Sequence, residues 1–260
     1  MNAHLVQFDI QWEDKQANFD LVRDLLATAR PRISPGDLIV LPEMFDTGFS
    51  LRPEVTHDGD ERTLSFLAAT ARDLGTYVHG GRTVLGNDHM GRNMATIVNP
   101  RGEIVTEYAK IHPFSYGRES ERFVGGDSIV TWDWPEAGLR VCPAVCYDLR
   151  FPELFRIGLQ RGAEMFVLGA NWPQVRQMPW RALLIARAIE NQAYVIGVNR
   201  TGTDPHLQYG GGSMCVDPTG QVVGELAAQV SVQTVEIDAQ RVQVWREEFT
   251  AWKDMRLIND

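Results

Sequence analysis

Short apolar runs alternate with helical apolar stripes along this 260-residue chain. The change of repeat, from about two residues to about 3.6, marks where strands give way to helices. Residues 5–10 alternate as a strand, and Phe19, Val22, Leu25, Leu26 and Ala29 then recur at helical spacing behind Asn18, a cap-forming residue. A turn at Ser34-Pro35-Gly36 leads into a short apolar strand over 37–41. Residues 44–59 read as a long loop, and 61–74 as a second helix with Leu64, Leu67, Ala68 and Ala71 inward and Gly75 closing it. Residues 77–84 form a strand in which Gly80-Gly81 marks a close approach of another backbone or a ligand. Segments 93–98 and 104–108 make a hairpin around Asn99-Pro100-Arg101-Gly102.

The second part of the chain repeats this scheme. Residues 139–145 form an apolar strand, Pro152 marks the first turn of a helix, 165–169 and 194–198 are strands, and 179–191 is the helix between them. Asp217-Pro218-Thr219-Gly220 repeats the turn chemistry of residues 99–102. Two β-α-β-α-β-β halves of this kind predict an α/β fold with internal pseudo-twofold duplication: a four-layer α-β-β-α sandwich of two mixed sheets. No linker or low-complexity tract divides the chain, so residues 1–260 are expected to form a single domain.

Three strand ends carry chemistry. Glu43 follows the 37–41 strand, Lys110 the 104–108 strand, and Cys146 the 139–145 strand, at the carboxyl edge where open α/β sheets place ligands. Free cysteines usually behave as small buried hydrophobes, and Cys142 and Cys215 are read that way. Cys146 differs because a carboxylate and a cation end neighbouring strands, and helix-terminal N–H groups near it favour a thiolate. Residues 110–126 are too long and polar for a simple connector.

Composition narrows the partners. A net charge of -9 excludes the clustered basic surface that nucleic acid or an anionic membrane needs. The 3 cysteines make no disulfide framework, and the 6 scattered histidines make no metal site, so a reducing, cytoplasmic setting without metal or cofactor is expected. No apolar stretch approaches the ~20 residues that span a bilayer.

Four motifs carry a resemblance: Leu-Pro-Glu-Met-Phe (41–45), Tyr-Ala-Lys-Ile-His-Pro-Phe (108–114), Cys-Tyr-Asp-Leu-Arg-Phe-Pro-Glu (146–153) and Ala-Arg-Ala-Ile-Glu-Asn-Gln-Ala-Tyr (186–194). Together, and in this order, they resemble the nitrilase superfamily of carbon–nitrogen hydrolases. Residues 42–49, Asn171-Trp172-Pro173 and the ending 246–252 are similar to bacterial ω-amidases, which hydrolyse the side-chain amides of 2-oxoglutaramate and 2-oxosuccinamate. The resemblance implies Glu43 as general base, Lys110 as oxyanion stabiliser, Cys146 as nucleophile, and a second glutamate at Glu119, with Glu121 the competing position. It also implies Trp172 as a pocket contact and a homodimer or larger assembly, across whose contact residues 245–252 would pack.

In that scheme Glu43 takes the thiol proton, Cys146 attacks the amide carbon, and Lys110 with the Tyr147 backbone N–H meets the oxyanion. Burial is expected to raise the Glu43 pKa while Lys110 and the helix terminus lower that of Cys146. Arg176 is a candidate fork for the carboxylate of a 2-oxo acid, with Arg150 a competing anchor assigned to a buried structural pair. The alternatives are an amidase, nitrilase or N-carbamoyl hydrolase with another small substrate, and a catalytically idle binding member of the fold.

Overall fold

The computed structural model describes residues 1–256. The first half runs β1 (Asn2–Gln7), α1 (Lys15–Ala29), β2 (Leu38–Val40), α2 (Pro53–Thr56), α3 (Arg62–Leu74), β3 (Tyr77–Leu85), β4 (Gly91–Val98) and β5 (Ile104–Ala109). The second runs β6 (Trp132–Trp134), β7 (Leu139–Val145), α4 (Pro152–Gln160), β8 (Met165–Ala170), α5 (Gln177–Asn191) and β9 (Tyr194–Asn199). A small hairpin of β10 (Thr201–Thr203) and β11 (Gln208–Gly210) follows, then β12 (Met214–Val216), β13 (Val222–Glu225), β14 (Ser231–Glu236) and α6 (Ala239–Glu248).

Two six-stranded sheets result, ordered β14-β1-β2-β3-β4-β5 and β13-β12-β9-β8-β7-β6. Each has a parallel centre and antiparallel flanks, which is the predicted duplication. β14, from the second half, completes the first sheet by pairing with β1.

Burial explains the layers. Leu5, Val40, Val141, Val167 and Val198 pack between the sheets as one apolar cluster. Phe19, Val22 and Leu26 of α1, with Phe66 and Leu67 of α3, cover the outer face of the first sheet. Trp180, Leu184 and Ala188 of α5, four residues apart, and Leu154 and Phe155 of α4 do the same for the second.

Several local expectations change. Asp14, whose side chain accepts from the Ala17 N–H, caps α1. Asn18 is buried inside that helix, where its amide donates to the Gln11 and Asp46 carbonyls and holds the loop after β2. That loop is not featureless, since α2 interrupts it with proline in its first turn. The close approach expected at Gly80-Gly81 occurs: a Cβ on Gly81 would stand 2.4 Å from the Met44 nitrogen and 3.0 Å from Glu43 backbone. Gly169 of β8 makes the matching approach from the other sheet, where a Cβ would stand 2.6 Å from the Glu43 nitrogen. Two strands without side chains at these points let the Glu43 turn sit in the seam between sheets.

Candidate active site

Glu43 leaves β2 in that seam and is 1% exposed. Its Oε1 accepts from Lys110 Nζ at 2.9 Å and from Asn93 Nδ2 at 2.8 Å, and its Oε2 accepts from the Asn171 backbone N–H at 2.9 Å. Lys110, just beyond β5, is also 1% exposed, and its backbone N–H donates to the Asn93 carbonyl. Glu119 lies in a short 3₁₀ segment, fully buried, and accepts from Lys110 Nζ at 2.8 Å and 3.1 Å. Its Oε2 also takes the Phe114 backbone N–H. Glu121, the competing glutamate, pairs with Arg118 on the surface. The burial pattern therefore separates the two carboxylates that the sequence left side by side.

Cys146 ends β7 and begins a 3₁₀ segment, Cys146–Arg150, that precedes α4. The thiol is thus at the expected strand–helix junction, with the 3₁₀ turn standing between it and the N-terminus of α4. Its backbone φ is 44°, a left-handed conformation that costs an L-residue about 1–2 kcal/mol, and Met44, next to Glu43, has φ 43°. Both chemical junctions carry this strain. The Cys146 thiol faces the Glu43 carboxylate, the Lys110 ammonium and the Asn171 N–H.

The charge states run opposite to the expectation. Burial alone would raise Glu43, but the Lys110 charge and the donors from Lys110, Asn93 and Asn171 outweigh it and hold the carboxyl below its usual range. Burial, followed by the Glu43 charge, pushes Cys146 well above an ordinary thiol, and Lys110 does not reverse this. Lys110 is pushed down by burial but raised overall by Glu119 and Glu43. The resting site is a carboxylate, an ammonium and a neutral thiol. The reversal comes first from Lys110, whose ammonium bonds Glu43 directly, and then from the Asn93 and Asn171 donors, which the sequence does not show beside it.

Asp148 is a further residue whose part was missed. Fully buried, it accepts from the Tyr108 hydroxyl at 2.7 Å and from the Val145 and His112 backbone N–H groups at 3.0 Å each. It thereby ties the Cys146 turn to the segment that carries Lys110. The motif 146–153 contained it, but nothing in its spelling distinguishes a tether from a surface acid.

A recess opens above Cys146, lined among others by Lys110, Phe114, Trp172, Arg150 and Arg176. Trp172 is 3% exposed, donates its indole N–H to the Arg176 carbonyl at 2.7 Å and packs on Trp180, so it is both core and wall. The Arg150 guanidinium lies 5.0 Å over the Trp172 ring, and that of Arg176 lies 5.5 Å over Phe114 and 5.2 Å over Tyr116. Among the described residues neither guanidinium has a carboxylate partner. Arg150 is therefore not the buried structural pair that was expected; it stands in the recess, stacked and uncompensated. No cluster of metal-ligating side chains occurs among the described residues.

The carbon-nitrogen hydrolase family matches residues 2–247. This chain belongs to that family. Within it, this carbon-nitrogen hydrolase is 35% identical over 258 residues to "Omega-amidase YafV" of Escherichia coli (strain K12), covering 96% of this chain and 94% of the relative. It is 30% identical over 253 residues to "2-oxoglutaramate amidase" of Bacillus subtilis (strain 168), covering 96% of both. A CN-hydrolase superfamily protein from Xanthomonas campestris, solved with an arsenic adduct in its active site, superposes with a TM-score of 0.92 at 33% identity over 100% of this chain and 98% of that one. An amidase from Nesterenkonia sp. AN1, solved after Michael addition of acrylamide at its active-site cysteine, superposes with a TM-score of 0.83 at 28% identity over 95% of this chain and 97% of that one. This carbon-nitrogen hydrolase is a hydrolase acting on amide C–N bonds. No helix among its described residues is long and apolar enough to cross a membrane.

Proposed function

We propose that the enzyme is an ω-amidase, releasing ammonia from ω-amides of 2-oxo dicarboxylic acids through a thioester on Cys146. The observation that carries this reading is the pair of guanidiniums, Arg150 and Arg176, that stand in the recess above the thiol with no carboxylate partner among the described residues. Such a substrate has a carboxylate and a 2-oxo group far from its scissile amide, and a planar guanidinium fork matches a carboxylate. The named relatives support the same substrate class.

The steps follow from the charge states. Glu43, ionised, accepts the proton of the neutral Cys146 thiol as sulfur attacks the amide carbon. The same proton, returned to nitrogen, lets ammonia leave, and water activated by Glu43 clears the thioester. The oxyanion forms beside Lys110 and the Tyr147 N–H, which belongs to the first turn of the 3₁₀ segment and so has no acceptor within it. Lys110 Nζ already has three carboxylate oxygens within hydrogen-bond distance, Glu43 Oε1 and both of Glu119. Lys110 therefore acts on the oxyanion by charge, with Glu119 holding it in place.

Ammonia release from 2-oxoglutaramate, 2-oxosuccinamate, simple amides, nitriles and N-carbamoyl amines tests the substrate class. Arg176→Met and Arg150→Met should each lower kcat/KM for 2-oxoglutaramate about tenfold or more, the scale of one charge-assisted hydrogen bond, and spare uncharged amides. Equal loss on both substrates would mean that the arginines shape the recess only. We also propose a homodimer, with Val175 and Met178 beside the recess mouth, 83% and 76% exposed, as the apolar surface available to a second copy. Residues 245–252, the segment expected at that contact, are bonded to Gln192 of their own chain through Phe249, Trp252 and Arg246. A mass near 29.3 kDa by light scattering would exclude the dimer.

A further inference from the structure

Asn93, on β4, has no part in the steps above, yet its side chain touches both glutamates. Its Nδ2 donates to Glu43 Oε1 at 2.8 Å and to Glu119 Oε1 at 3.0 Å, and the residue is 2% exposed. Lys110 Nζ reaches the same two oxygens at 2.9 Å and 3.1 Å. One oxygen of each carboxylate is thus clamped twice, by an ammonium and by a neutral amide. The amide cannot be turned over, because its carbonyl would then face two carboxylate oxygens. In this orientation Oδ1 is buried without a partner. An asparagine serving only to fill space would not incur that penalty.

The clamp bears on where the proton goes. Each carboxylate oxygen offers about two acceptor sites. Lys110 and Asn93 occupy both on Glu43 Oε1, whereas Oε2 takes the Asn171 N–H at 2.9 Å and only a long contact from Asn171 Nδ2 at 3.4 Å. We propose that Asn93 is a positioning residue that fills Glu43 Oε1, commits Oε2 to the Cys146 proton, and ties Glu43 to Glu119 across Lys110. In the step it serves, the S–H bond breaks, its proton passes to Oε2, and the sulfur electron pair forms the bond to the amide carbon. This rests on the assignment of Glu43 and Cys146 as base and nucleophile.

Removing Asn93 takes a donor from the ionised form of Glu43, so the proton affinity of Glu43 must rise. The groups that face Glu43 are Lys110 beyond β5, Glu119 in its 3₁₀ segment, Cys146 beyond β7 and the neutral Asn171 beyond β8. Tyr209 of β11 lines the same recess as Cys146. None of these can replace a neutral donor between the two carboxylates.

The test is the pH profile of Asn93→Ala. With 2-oxoglutaramate, kcat should fall about 10- to 100-fold with KM within about twofold, and the acid limb of kcat/KM should move to higher pH. The rate at which iodoacetamide alkylates Cys146 should show the same displacement, and it needs no amide substrate. A residue that only supports the fold would lower the folded fraction and leave both limbs where they are. A folded Asn93→Ala enzyme with unmoved limbs overturns the proposal. If Asn93→Ala does not fold, the near-isosteric Asn93→Leu, which also removes the donor, replaces it, with the same upward movement expected and an unmoved limb again overturning the idea. A wild-type enzyme turning over 2-oxoglutaramate but never alkylated at Cys146 would overturn the nucleophile reading and this proposal together; alkylation without turnover would count against the substrate class alone.

Discussion

The two halves of the duplicated fold hold equivalent strands but very different chemistry. Their registers align them: Tyr77 pairs with Leu38 at the start of β2, and Tyr194 pairs with Met165 at the start of β8. Counting on from these pairs, the counterpart of Glu43 is Ala170. Ala3 pairs with Leu38 and Val141 with Met165, which makes Phe8 the counterpart of Cys146. Val98 pairs with Ile104 and Val216 with Val222, so Lys110 corresponds to Ala228. Each polar group of the site thus has an apolar residue at its mirrored position. The carboxylate–ammonium–thiol set stands on one side only; on the other, against Phe8 and Ala170, the buried Arg200 pairs with Asp9 at 2.8 Å, and its backbone N–H donates to the Ala170 carbonyl. A second buried set would carry the same desolvation cost without a recess above it.

Glu43→Gln tests this asymmetry most severely. It keeps the shape and removes the base, so kcat for ammonia release should fall by about 10²–10⁴, the usual contribution of a positioned general base. Asn171→Ala should cost less, about tenfold, because the backbone N–H to Oε2 survives, while the side-chain donor to the Glu43 carbonyl and its long contact to Oε2 are lost. Equal losses would mean that both variants displace the turn and that the base assignment is unsupported.

A smaller difference between the halves can be read in stability. His79 on β3 corresponds to Ile196 on β9, both buried in the middle of a sheet. Burial lowers the His79 pKa to about 4 from 6.5. The folded state thus excludes a proton that the unfolded chain accepts. Its contribution is intact above about pH 6.5 and is lost as pH falls toward 4, reaching about 3 kcal/mol across that window. Urea unfolding of wild type and His79→Gln at pH 7 and pH 4.5 should show the wild type losing more stability on acidification. Parallel loss in both would remove His79 as the cause.

Most of the fold was legible because apolar repeats and turn residues are local signals. Strand 139–145 was predicted to the residue, and Gly80-Gly81 marked a real close approach. Glu43, Lys110 and Cys146 could be suspected from strand ends, but nothing local connects residues 43, 93, 119 and 171. Asn93, Asp148 and the uncompensated Arg150 gain meaning only when strands from both sheets converge. The charge states were misjudged for the same reason: they depend on hydrogen-bond donors that come from distant segments. The left-handed backbone at Met44 and Cys146 was equally invisible, since neither residue type advertises it.

The central claim is that Cys146 alone among the three cysteines is chemical. Cys215 is also buried, with its thiol raised by burial, but it lies in β12 with no carboxylate–ammonium pair against it. The direct measurement is ammonia release from 2-oxoglutaramate by folded Cys146→Ala and Cys215→Ala enzymes, each checked by thermal unfolding. The account predicts a loss of at least about 10³-fold for Cys146→Ala with its unfolding temperature nearly unchanged. Cys215→Ala should keep its kcat/KM and lose about 1–2 kcal/mol of stability. Retention of more than a few per cent of activity by folded Cys146→Ala would contradict it.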